Sequence, residues 1–192
     1  MPVPNPAALE FLQTRRSRPA KTLVLPVPAR AELRPLLTAA ARSPDHGKLE
    51  PWRFIVLERG ALLRIAGLIE GVGARLGKSP EDIAKAKGQF DTAHLAVAVI
   101  EVQKPSEKIP AIEQTYAAGG VCLALLNAAL AAGWGANWLS GWASHDRDFA
   151  EAALGLTSPE RIAGFIHIGT EGSAPPERPR PDLDQITTWI SA

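Results

Sequence analysis

The sequence of 192 residues holds one cysteine, one methionine and one tyrosine, and its charges nearly cancel at a formal +1. With Cys122 alone, no disulfide can form within the chain, and a buried structural thiol is the expected state. So small a net charge gives no general attraction to nucleic acid or to a membrane surface. His46, His94, His145 and His167 share no metal-ligand spacing with one another or with Cys122. Ser140 lies in Asn137-Trp138-Leu139-Ser140-Gly141, which lacks the first glycine of a nucleophile elbow. Gly71-Val72-Gly73 sits inside a helical pattern, so it is no dinucleotide fingerprint. No pair of acids stands out for general acid–base work, no internal repeat is apparent, and no catalytic side chain is assigned. The opening residues lack the basic-then-apolar pattern of a signal peptide, and a cytoplasmic location is expected by elimination. A chain without a nucleophile or a metal set suits a cofactor that carries the chemistry itself.

What is present centres on Thr115 to Ser144, a run without Asp, Glu, Lys or Arg in a chain that is 21% charged. Its first part, to Ala132, is rich in Ala and Leu and reads as helix. Gly133 supplies the stop, Gly135 to Leu139 reads as a short strand, and Ser140-Gly141 as a turn. Tyr116 to Ala132 would span only about 25 Å as a helix, short of a hydrocarbon core of roughly 30 Å. A buried core helix is therefore expected, with no membrane. Gly119-Gly120 has two readings of equal weight: a site of close approach by another backbone or flat ligand, or a loosely chosen core position.

The length suits one domain over 1–192. Asn5-Pro6 starts a first helix, with Leu9 and Leu12 on one face and Phe11 pointing elsewhere. It ends in Thr14-Arg15-Arg16-Ser17-Arg18. That cluster can hold a phosphate through charge-assisted hydrogen bonds, although on the motif alone a solvated basic turn is the stronger reading. Lys21 to Pro28 is extended. Ala29 to Arg42 is helical, with Leu33, Leu36 and Leu37 on one face and Pro35 expected in the first turn or at a kink. Ser43 to Pro51 is a structured loop. Strands are expected at Trp52 to Glu58, Leu95 to Val102 and Arg161 to Ile168. Further helices are expected at Ala61 to Leu76, from Ser79 to about Gly88, and at Asp146 to Leu154, with Phe149 and Leu154 facing the core. From Gly169 the chain turns proline-rich. Its end carries Ile186, Trp189 and Ile190, which a partner subunit would bury. This order gives an α/β or α+β sandwich with the central helix on a sheet.

Four of these segments, in this order, resemble the flavin-dependent nitroreductase family. They are Arg15-Arg16-Ser17 after the first helix; Ser43-Pro44-Asp45-His46 leading to Pro51-Trp52-Arg53-Phe54-Ile55-Val56; the apolar helix with Gly133-Trp134-Gly135-Ala136-Asn137-Trp138; and Phe165-Ile166-His167-Ile168-Gly169-Thr170. The loop and the short length resemble its small "putative NAD(P)H nitroreductase" branch. The resemblance implies an α+β sandwich with a central buried helix, forming an intertwined homodimer with FMN at the subunit interface. Residues 171–192 would be an extension wrapping the partner. By the same resemblance Arg15, Arg16 and Ser17 bind the FMN phosphate and ribityl chain. Arg42 and His46 contact FMN from the second subunit, Trp138, Leu139 and Ser140 line the flavin, and Arg178 and Arg180 clamp the phosphate. Where many relatives have Ser-x-Asn in the loop, this chain has His46-Gly47-Lys48. Leu139 stands where some relatives have arginine. The implied activity is ping-pong hydride transfer from NADH or NADPH through FMN to a nitroaromatic, quinone or other small acceptor. The alternatives are another acceptor (oxygen-dependent flavin chemistry or dehalogenation) and a flavin-binding module without turnover.

Overall fold

A computed structural model describes residues 3–191. In chain order the elements are α1 (Pro6–Thr14), β1 (Leu23–Val24), α2 (Arg30–Ala40), β2 (Trp52–Glu58), α3 (Arg59–Arg75), α4 (Pro80–Asp91), β3 (Leu95–Glu101), α5 (Ala111–Ala131), β4 (Gly135–Leu139), α6 (Arg147–Leu154), β5 (Arg161–Glu171) and α7 (Leu183–Ile186). The sheet is antiparallel throughout, ordered β1-β5-β3-β2, with β4 also paired to β5. Helices cover both faces, so the expected α+β sandwich is present.

Every residue of β3 is buried, as befits a strand paired on both edges and covered on both faces. Its alternation sorts two cores. Leu95, Val97 and Val99 join Leu33 and Leu36 of α2 and Val121, Cys122 and Leu125 of α5. Ala96, Ala98 and Ile100 face α3, α4 and α6 through Leu62, Ile65, Ile69, Phe90 and Phe149. The small alanines leave room for the rings of Phe90 and Phe165, which meet edge to face at 5.1 Å. Helix starts follow local chemistry. The side chains of Asn5, Ser79 and Asp146 accept from the backbone N–H groups of Ala8, Asp82 and Phe149.

Several expectations need correction. Pro35 lies mid-helix in α2. It faces solvent, so water can satisfy the Ala31 carbonyl that loses its usual partner. β5 runs to Glu171 and α4 to Asp91, beyond the expected ends, and β1 and α7 are additional short elements. α5 has 21 residues, about 31 Å, long and apolar enough to cross a membrane. What argues for a core helix is its seat against α2 and the sheet, not its length. Nor is it buried all round. Ile112, Tyr116 and Leu123 are exposed, and a Cβ added at Gly119 or Gly120 would meet nothing within 4 Å. Phe11 is half-buried while Leu9 and Leu12 are exposed.

Candidate functional site

The basic turn after α1 is fixed to the sheet by two long-range bonds. The Arg18 N–H donates to the Ala136 carbonyl at 2.8 Å, and Asn137 Nδ2 donates to the Arg18 carbonyl at 2.7 Å. The turn is thereby anchored to β4, whose far end carries Trp138 and Leu139, with Ser140 just beyond it. Trp138 is half-exposed, and its indole lies against Gly164, where any Cβ would collide with it. A cleft of about 620 Å³ opens beside this indole, with Gly119, Thr115, Arg147 and Arg161 in its walls. Its polar floor is Glu101, which accepts from Arg161 at 2.8 Å and Thr115 at 2.7 Å.

Within the turn the arginines differ in partner. Arg18 Nε pairs with Glu171 at 2.7 Å. Arg16 donates to the Pro176 carbonyl and approaches Glu177 at 3.4 Å, and Arg180 also pairs with Glu177, at 3.2 Å. The start of the tail is thus held against the turn, with Arg178 exposed between these contacts. Arg15 pairs with no carboxylate among the described residues. Its Nη2 donates to Ser17 Oγ at 3.1 Å, and its Nε is buried with no partner among the described residues. Burial, then the charges of Arg180 and Arg18, push the Arg15 guanidinium below its ordinary pKa. Ser17, accepting from Arg15, keeps its own hydroxyl proton to donate. A buried unmatched donor among mutually repelling arginines fits an anion with several acceptor oxygens, which is what a phosphate ester offers.

Among the described residues no hydrogen bond or ion pair joins Arg42 or His46 to this cluster. Arg42 is exposed beyond α2, beside Arg34 and Pro35. His46 lies at the opening of α5, its Nδ1 2.7 Å from Glu113. Sequence reasoning missed Asn137 and Gly164 as supports of the site, and Glu113 as the partner of His46. Asn137 lay inside a quoted motif, whereas Glu113 carried no local signal. Cys122 is buried in the core, which pushes its thiol up to about 12. His167 is also buried, with both ring nitrogens unpartnered among the described residues and its pKa lowered to about 4 by burial.

The family model described as "Nitroreductase family" matches residues 14–170. The chain belongs to the nitroreductase family. It is 34% identical over 163 residues to "Putative NAD(P)H nitroreductase YdjA" of Escherichia coli strain K12, covering 85% of this chain and 87% of that protein. It is 33% identical over 164 residues to a "Putative NAD(P)H nitroreductase" of Haemophilus influenzae, covering 85% and 88%. The nitroreductase-like protein from Bacillus cereus superposes over 100% of both chains with a TM-score of 0.79 at 24% identity. A Desulfovibrio desulfuricans nitroreductase crystallised with FMN superposes with a TM-score of 0.74 at 19% identity, covering 98% and 99%. The nitroreductase-like fold read from the motifs is therefore the fold observed.

Proposed function

We propose that this chain is an FMN-dependent NAD(P)H oxidoreductase acting as an intertwined homodimer on a small acceptor such as a nitroaromatic or quinone. The observation that carries the reading is the buried, unmatched Arg15 Nε within the Arg15–Ser17 turn, anchored to β4. The names of the Escherichia coli and Haemophilus influenzae relatives and the FMN bound in the Desulfovibrio protein support it.

FMN bound here would supply hydride chemistry, with NADH or NADPH as the donor and a small molecule as the acceptor, the two using one pocket in turn. The side chains bind and orient. Arg15, Arg16 and Ser17, with Arg178 and Arg180 from the tail, hold the phosphate. Trp138, Leu139 and Ser140 line the ring. Arg42 and His46 reach the ring of the other subunit's cofactor. The outer face of α5 and residues 171–192 form the contact with the partner, burying Leu183, Ile186, Trp189 and Ile190, all exposed in the single chain. A cytoplasmic site of action goes with this reading.

The test begins with absorbance of the purified protein at the flavin bands. It continues with oxidation of NADH or NADPH in the presence of nitroaromatics, quinones or oxygen alone. Arg15→Ala should weaken FMN binding about 10- to 100-fold, the size of a lost hydrogen bond to a charged group. A colourless wild-type preparation that takes up no FMN sinks the proposal.

A further inference from the structure

The loop between α2 and β2 is wound unusually. Gly47 has φ 75°, and two residues with side chains, Lys48 at φ 55° and Glu50 at φ 47°, also adopt left-handed conformations. Such residues pay a steric penalty that a plain connection has no reason to carry. Three contacts hold the winding in place. Asp45 Oδ2 accepts from the Glu50 N–H at 3.0 Å. Ile109, just ahead of α5, packs so closely on Gly47 that a Cβ there would strike its side chain. Glu113 Oε2 meets His46 Nδ1 at 2.7 Å. Together they set the imidazole on the first turn of α5, with its side chain 61% exposed. The carboxylate accepts only from a protonated Nδ1, which fixes the ring plane and the tautomer and leaves Nε2 as its open atom.

We propose that Glu113 is a positioning residue for His46, presenting Nε2 to the FMN of the partner subunit. The proposal rests on the reading above, in which His46 reaches that cofactor. A carboxylate in the first turn is also favourable to α5 through the helix dipole. That role alone would tie Glu113 to helix stability and leave flavin binding unmoved.

The test uses the full chain, stripped of FMN and titrated back, with quenching of flavin fluorescence giving Kd and the visible bands reporting the ring environment. Glu113→Ala and His46→Ala should each weaken binding about five- to tenfold, the size of one hydrogen bond, and shift the flavin bands alike. The double variant should bind no more weakly than either single one. Glu113→Gln, which can still accept from Nδ1, should restore both Kd and spectrum. Apo-protein melting separates a folding defect from a binding one. Wild-type affinity in Glu113→Ala, or additive losses in the double variant, overturns the proposal while leaving the flavin reading intact. Failure of the wild-type chain to take up FMN overturns both.

Discussion

The two faces of α5 are built from similar residues and meet different surroundings. The inner face puts Val121, Cys122, Leu125 and Ala129 against β3, β5 and α2, all fully buried. The outer face puts Ile112, Tyr116 and Leu123 in solvent, Tyr116 at 69% exposure, with two glycines between them where an added Cβ would meet no other part of the described residues within 4 Å. The tail repeats the outer pattern, with Trp189 at 89%. Scattered apolar residues on a surface are ordinary, but a continuous stripe with glycines in it is the form of a helix contact. Half of this helix is explained by its own chain, and the other half by the homodimer proposed above.

The largest expected effect comes from breaking the outer face. Tyr116→Asp with Leu123→Asp should yield monomers in sedimentation and release FMN. A variant that stays dimeric with flavin bound would place the contact elsewhere. On the inner face, Leu125→Ala should cost about 2–5 kcal/mol in denaturant unfolding, since the cavity it leaves is enclosed. Loss of assembly without loss of folding would contradict the division between the faces.

Across the sheet the core holds its own weak point. His167 sits neutral with both nitrogens unpartnered among the described residues, its pKa lowered from 6.5 to about 4 by burial. The unfolded chain binds that proton below pH 6.5 and the folded one does not until about pH 4. Stability is therefore full above the unfolded value and falls as pH drops between the two. The expected loss is about 3 kcal/mol, read from unfolding curves at several pH values. His167→Leu should remove that share of the acid sensitivity. The smallest effect is the sharpest for the comparison. At a free surface, Gly120→Ala should stabilise the helix by roughly 0.5–1 kcal/mol. If a partner helix packs there, the same change should weaken dimerisation in a dilution series, and this is the outcome expected.

Much of the fold was legible because the signals are local. Asn5-Pro6 and Ser79-Pro80 mark helix starts by capping chemistry, and the observed helices begin there. Leu95 to Val102 reads as a buried strand from its apolar run up to Ile100, and the observed strand covers Leu95 to Glu101. The Arg15-Arg16-Ser17 turn was visible as a phosphate motif, but not the reason it could serve as one. Arg18 and Arg16 are paired with Glu171 and Glu177, more than a hundred positions away, which leaves Arg15 as the unmatched member among the described residues. Pro35 misled because a proline's effect on a helix depends on whether water reaches the freed carbonyl, and burial is not a local property. The Glu113 partnership with His46 was invisible for the same reason, since it depends on how a left-handed loop folds back on α5.

The sequence by itself determined where most of the longer helices and strands begin, that the Leu95 strand is buried, that Cys122 stays a lone thiol, and the family to which the chain belongs. These follow from caps, periodicity and ordered motifs, each set by neighbours in the chain. Tertiary structure alone decided which face of α5 its own chain covers, and that, among the described residues, His167 lies unpartnered in the core and Arg15 keeps a buried donor without an acceptor. Those are matters of which distant groups arrive at the same place, and desolvation and charge pairing act through that proximity.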